Sequence, residues 1–276
     1  MNLLQKPQLL LAVSTGLLIL ADPASAGIAL GTLFFNRTYQ QTAPALAAEQ
    51  NSFFAAGIDE NALDDFAGGT FTDPGGTVYA LSQNNDPAFP SWRYQTALLG
   101  LDQVDTLFPD GSYTLELTGP AAQVIVRKNG TFYSPEVPLF AASTYNALTS
   151  APIAVSNPFT VRFNSFTTPA DEALGFVTLY DYTLGSFVFD EGFLNPSTTS
   201  VDLPANTIVV GHNYSLELIF SSRQTGVDDV NGLPTLIGFD RRTTLAFTAL
   251  AVPTPSTALL GLTGLALLVL RSARRA

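Results

Sequence analysis

Few side chains in this sequence could do chemistry, and their spacing decides which kind. His212 is the single histidine. A Ser-His-Asp relay would have to use it. It stands beside Asn213 at the start of an apolar stretch, the chain has no G-x-S-x-G elbow, and no serine is set apart as a nucleophile. It reads as a turn or surface histidine. Four adjacent carboxylate pairs, Asp59/Glu60, Asp64/Asp65, Asp190/Glu191 and Asp228/Asp229, have the residue types of glycoside hydrolysis, one acid and one base or nucleophile at fixed separation. Neighbours along a strand point to opposite faces, so such pairs serve only from loops. A chain with 23 Asp+Glu also makes them by chance.

Calcium is a better use for these acids. The segment Asp228-Asp229-Val230-Asn231-Gly232 offers Asp228, Asp229 and Asn231 as oxygen donors and a glycine for a tight turn, without the full spacing of an EF-hand loop. Calcium is the one cofactor the sequence suggests. Tyr79, Trp92, Tyr94 and Tyr133 could stack on sugar rings or fill a core, and large aromatics more often do the second. Cysteine is absent, which excludes thiol catalysis, Cys-based zinc sites and haem attachment. N-x-[ST] triplets occur at Asn36, Asn129 and Asn213 and carry little weight in a bacterial-type export context. No catalytic constellation emerges, and the chain reads as non-enzymatic.

The elements that must position these residues are strands. Twenty Phe and nine Tyr recur with Val and Thr in short runs separated by Gly, Pro, Asn and Asp. The pattern predicts a first strand around Phe34, Phe35 and Tyr39, and a loop or helical turn over residues 43–50. Residues 57–65 read as irregular. Strands follow at 70–72, 77–81 and 92–99, separated by the turn residues Asp73-Pro74-Gly75-Gly76 and Asn84-Asn85-Asp86-Pro87. After Pro109-Asp110-Gly111, residues 113–117 alternate with period 2. Asn129-Gly130 predicts a hairpin between 124–127 and 131–133, because Asn-Gly tolerates positive φ at both turn positions. Further strands are expected at 159–163, 176–182 paired with 185–189, 207–210, 214–220 and 245–250. Gly111-Ser112-Tyr113-Thr114-Leu115-Glu116-Leu117 resembles His212-Asn213-Tyr214-Ser215-Leu216-Glu217-Leu218, each with a Tyr after a turn. In β-sandwiches such a Tyr often ties a corner to the backbone. The expected fold is all-β, an antiparallel β-sandwich, with one large sandwich and two sandwich-like halves both open. The stretch 150–158 is the best boundary, giving a β-rich region at 27–150 and a sandwich-like region at 151–251.

Both ends are set apart. Residues 1–26 read as a signal-peptide helix. Lys6 is the positive start, Leu9 to Leu20 is a 12-residue, largely apolar run, and Ala24-Ser25-Ala26 fits small-x-small cleavage, leaving Gly27 as the mature N-terminus. Residues 252–276 have three parts. Val252-Pro253-Thr254-Pro255-Ser256-Thr257 is held extended by its prolines. Ala258 to Leu270 is an uncharged 13-residue run. Arg271, Arg274 and Arg275 follow and keep that end in the cytoplasm. As a helix the run is about 20 Å long against a hydrocarbon core of about 30 Å, a short transmembrane helix suited to a transient stop.

The tail resembles the PEP-CTERM sorting domain, which exosortase-type transpeptidases recognise and remove. Val252, Pro253, Pro255, Ser256, Thr257 and the arginines Arg271, Arg274 and Arg275 carry the resemblance, and Thr254 stands where the family has Glu. The body is similar to an uncharacterised family found ahead of such tails, in FPDGSYTLEL at 108–117, VPLF at 137–140 and DLPANTIVVGHNYSLELIF at 202–220. The resemblance implies a β-rich protein exported across the inner membrane, anchored transiently by its tail, then placed at the cell surface or outside. It would be handled by an exosortase-like enzyme in an exopolysaccharide-rich envelope, as a non-enzymatic surface or extracellular-matrix protein. The alternative is a carbohydrate-binding or carbohydrate-active module that uses the loop acids and aromatics.

The chain carries 12 Lys+Arg and 23 Asp+Glu. Four of the basic residues and one acid, Asp22, lie in the two ends, so the region between them holds 8 basic and 22 acidic residues, net −14. Nucleic acid is excluded as a partner, since its affinity rests on neutralising phosphates.

Overall fold

The computed structural model describes residues 27–60, 66–84, 90–119 and 122–251. The all-β expectation holds, with thirteen strands and two short helices in that region. β1 (Ile28–Ala43), β2 (Leu46–Glu60), β12 (Asn213–Val227) and β13 (Pro234–Thr248) are 15 or 16 residues long and form the centre of one sheet. β9 (Glu172–Asp181) and β10 (Ser186–Leu194) extend it beyond β12. On the other side, beyond β2, come β5 (Ser91–Gln95), β4 (Val78–Asn84), β3 (Gly68–Thr72), β6 (Gly111–Thr118) and β7 (Ala122–Lys128). The sheet has eleven strands in all. Every pairing in it is antiparallel except β1 with β13, the first and last strands, which run parallel from Gly31/Thr235 to Gln40/Thr244. A second sheet pairs β8 (Phe159–Arg162) with β11 (Ser200–Leu203).

Two buried clusters lie along these strands. In the first, the sheet curls until β7 meets β1. Leu33 and Phe35 of β1, Phe54 and Ile58 of β2 and Phe239 of β13 pack against Phe71, Tyr113, Leu115, Val124 and Val126. Gly31 allows the approach, since a Cβ there would lie 2.8 Å from a Val124 methyl. The short helix α1 (Gln103–Leu107) adds Val104. In the second cluster, Val177 and Leu179 of β9, Leu216, Leu218 and Phe220 of β12 and Leu245 and Phe247 of β13 meet Val161, Leu203, Phe140 and Leu148. These come from β8, β11, residue 140 and the helix α2 (Ala142–Ser150). β13 therefore feeds both clusters.

Between the clusters the same strands turn polar on the same face. Arg37 binds Asp105 at 2.8 Å and Asp102 at 2.5 Å, and its guanidinium lies 4.7 Å from the Tyr133 ring centre. Arg241, its register partner on β13, lies 5.9 Å from both Tyr39 and Tyr133. Burial pulls the Arg37 guanidinium down, but the Asp105 bond and the charge around it hold it above its usual range. Burial likewise pushes the Tyr133 hydroxyl up. These groups stay in the forms that pair.

The two matched tyrosines do the same work. The Tyr113 hydroxyl donates to the Pro109 carbonyl at 2.7 Å. The Tyr214 hydroxyl accepts from the Val209 N–H at 2.7 Å. Both rings are buried, one in each cluster. The 176–182/185–189 hairpin is also found, as β9 and β10, with Gly185 at φ 73° in the turn.

Other expectations are corrected. Residues 43–50 are no helical turn or loop: Pro44-Ala45 turn the chain and β2 begins at Leu46. Gly57–Glu60 belong to β2, because both faces of its far end are covered. The Asn129-Gly130 hairpin does not form. Asp110 captures the turn, accepting from the Gly130 N–H and the buried Lys128 ammonium, both at 2.9 Å. Phe132 and Tyr133 then leave the sheet and pack edge-on to Phe239. Residues 207–210 form no strand, since Tyr214, His212 and Pro204 take up their backbone groups.

Replacing the hydroxyl at either corner tests its share. Tyr113→Phe and Tyr214→Phe should each cost about 1 kcal/mol. The double variant should lose the sum, because the two sites lie in separate clusters. Urea midpoints at unchanged m-value measure both.

Candidate functional site

The sorting residues Val252, Pro253, Pro255, Ser256, Thr257, Arg271, Arg274 and Arg275, and the cleavage residues Ala24 and Ala26, lie outside the described residues, as do Asp64 and Asp65. Gly27 is the first described residue, one before β1.

His212 is held by Asp181, with Nδ1 2.7 Å from Oδ2. The other Asp181 oxygen accepts from the Thr183 N–H at 2.8 Å and the Leu184 N–H at 3.1 Å, closing the β9–β10 turn. Burial pushes the Asp181 carboxyl up, but the bonds from His212, Leu184 and Thr183 outweigh it and hold it below the usual range. This is a structural clasp between two loops. Its bonds join a histidine, a carboxylate and backbone N–H groups, and no serine hydroxyl takes part.

The calcium candidates do not form a shared cage of oxygens. Asp228 is buried and folds back on its own loop, accepting from the Val230 N–H at 3.1 Å, the Asn231 N–H at 3.0 Å and the Asn231 side-chain amide at 3.1 Å. Asn231 thus turns a donor, not an oxygen, toward Asp228. That amide also donates to the Gln123 carbonyl at 2.8 Å. Asp229 points to Arg127 at 2.9 Å. Among the described residues no three His, Cys, Asp or Glu side chains gather as a metal site requires.

The other carboxylate pairs separate as well. Asp59 pairs with Arg93, which also donates to the Thr32 hydroxyl at 3.2 Å, while Glu60 follows on the opposite face of β2. Burial pushes the Asp59 carboxyl up, and Arg93 only partly offsets it. Asp190 and Glu191 are consecutive exposed residues of β10. The four aromatics lie in or against the first cluster, Tyr79 and Tyr94 half-buried. Trp92 and Tyr133 belong to the first cluster, and Tyr79 stacks 4.5 Å from Phe71 and 4.9 Å from Tyr94. Of the N-x-[ST] positions, Asn36 is buried, whereas Asn129 and Asn213 are exposed.

The densest buried chemistry is a group that the sequence reading missed. On the face of β1, β12 and β13 that looks away from both clusters, Arg242 lies between Glu217 at 3.6 Å and Asp240 at 3.7 Å. Burial pushes the Glu217 carboxyl up, Arg242 offsets part of that and Asp240 adds to it. Asn36, the register partner of Asp240, is fully buried, and neither its amide oxygen nor its nitrogen has a hydrogen-bond partner. Phe34, Ala55 and Leu236 continue the face as a small apolar cluster. The signal was alternation: in Phe34-Phe35-Asn36-Arg37 and Asp240-Arg241-Arg242, successive polar residues serve opposite faces.

No known family profile matches the chain, and no curated protein matches it. Among solved structures, the FN1–FN3 domains of chicken CNTN1 are similar at 10% identity and a TM-score of 0.24, over 73% of this chain and 63% of that one. The chain thus spans less than two thirds of that structure's length.

Two substitutions test these assignments. With a folded-state pKa below 3.8, Asp181 contributes stability that is present above the unfolded value and lost as the pH falls through the folded one. Asp181→Asn should therefore destabilise at neutral pH and lose less stability than wild type on acidification below about pH 4, read from thermal midpoints. Asp228→Ala should cost about 1 to 3 kcal/mol, by the same amount with and without added calcium.

Proposed function

We propose that the chain is an exported, non-enzymatic surface or matrix protein, processed at its tail by an exosortase-like enzyme and made of two sandwich-like halves on shared strands. One observation carries this reading. The described strands lie between the two processing points, with β1 starting at Ile28, one residue after Gly27, and β13 ending at Thr248, four residues before Val252. Removing either end would leave every described strand whole.

Composition and core agree with that use. A body without cysteine needs no oxidant, and its stability rests on the two apolar clusters. The net charge of −14 favours solubility outside a cell. The glycan-binding alternative loses its main platform, because Trp92, Tyr133, Tyr79 and Tyr94 are engaged with the first cluster. Among the described residues no helix is long and apolar enough to cross a membrane.

The proline element gives the test. Pro253→Ala with Pro255→Ala would free the extended backbone and let the apolar helix lengthen upstream. In a host with the sorting enzyme, the wild type should be recovered beginning at Gly27 and lacking Arg274-Arg275-Ala276, and the variant should accumulate uncleaved in the membrane. Mass spectrometry of the terminal peptides reads both ends. An intact C-terminal peptide on mature wild-type protein would reject processing and leave a plain anchor.

A further inference from the structure

The two ends of the central sheet differ in charge. At one end lie the β1–β2 turn at 43–46, the β9–β10 turn at 182–185, the loop 207–212 and residues 249–251. Hydrogen bonds join the last three: Tyr182 N–H to Asn213 carbonyl at 2.9 Å, Gly211 N–H to Ala249 carbonyl at 2.8 Å and Ala249 N–H to His212 carbonyl at 3.1 Å. The β1–β2 turn belongs to the same end because β1 runs parallel to β13. These four segments contain no Asp, Glu, Lys or Arg, in a body of net charge −14. They expose Leu46, Tyr182, Leu184, Val209, Val210 and Leu250, each 41 to 64% open. The opposite end carries Asp59, Glu60, Glu172, Asp228 and Asp229, of which Glu60 and Asp228 are buried, Asp59 is paired with Arg93 and Asp229 with Arg127, so that Glu172 and Asp229 are its exposed acids. Fifteen-residue strands separate the two ends by about 50 Å.

The charge-free end is also where the chain leaves the body. Ala251 is followed by the six-residue proline element and then the apolar run. We propose that this end of the sheet is a membrane-resting surface, seated on the outer face of the bilayer that the tail enters. The proposal rests on the reading of the tail as a membrane segment. Bilayers with anionic headgroups repel the acidic end and accept the uncharged one. Tyr182 has the amphipathic ring favoured at headgroup depth, and Leu184, Val209 and Val210 supply shallow apolar contact. A run of about 20 Å is a weak anchor by itself, and stable attachment takes two weak signals together. The surface supplies the second.

The test uses the full chain in vesicles of phosphatidylethanolamine and phosphatidylglycerol, with and without a brominated acyl chain. A tryptophan is introduced at the charge-free end by Tyr182→Trp, or by Leu184→Trp as a second probe. Val230→Trp, in the β12–β13 turn at the acidic end, is the control. The native Trp92 is constant in all three. The proposal expects the chain to float with the vesicles, the Tyr182→Trp and Leu184→Trp emission to lose most of its added intensity in brominated lipid, and Val230→Trp to lose none. A chain that floats with the probes at 182 and 184 unquenched overturns the resting surface and leaves the tail reading intact. Equal quenching at 182 and 230 overturns it as well. A chain that does not float rejects the tail reading and the surface with it.

Discussion

Everything in this structure depends on four long strands holding register through two cores. β1 and β2 line the first apolar cluster, β12 lines the second, and β13 joins them, supplying Phe239 to the first and Leu245 and Phe247 to the second. A slip of one residue in any of them would exchange the cluster-facing side chains with those of the other face. The polar belt at the crossing discourages such a slip. If Arg37 moved to the other face, Asp102 and Asp105 would lose their cation and the guanidinium would meet the apolar Phe34 side. Burying one partner of an ion pair alone costs several kcal/mol, about 3 to 5 in measured cases. The belt therefore adds little net stability but sets where each cluster ends.

That arrangement explains what could be read from the sequence. Strands with one face in a core and one face open announce themselves, as at 113–117, where Tyr113, Leu115 and Leu117 are buried and the residues between them are not. The matched tyrosines were legible because their role is local: a ring at a strand start reaching a carbonyl or N–H four or five residues back. The long central strands were read too short. Ser221-Ser222-Arg223-Gln224 and Asp240-Arg241-Arg242-Thr243 look like the end of an apolar strand, because polar runs usually mark solvent. Here both faces are covered, and the polar groups find one another along β13 and across its pairing with β12.

The failures at loops have a related cause. Asn129-Gly130 has the right backbone freedom for a hairpin, and Gly130 does take φ 97°. The turn was lost to Asp110, eighteen residues before Lys128, which draws the chain off the sheet. The Asp228 loop has the composition of a cation site, but it turns its own N–H groups and an amide nitrogen into the carboxylate. Composition names the groups available, and long-range partners decide their use. The readings of the two ends are the reverse case, since they rest on linear order alone and call on no long-range partner.

The parallel pairing of β1 with β13 also sets a timetable. These are the first and last of the described strands, and among the described residues β13 alone joins the β10-β9-β12 part of the sheet to the part that begins at β1. Until it arrives, the sheet is two disconnected pieces and each cluster lacks a wall. Two partial sheets can pair beforehand, but closing them into one body waits for the last of the described strands.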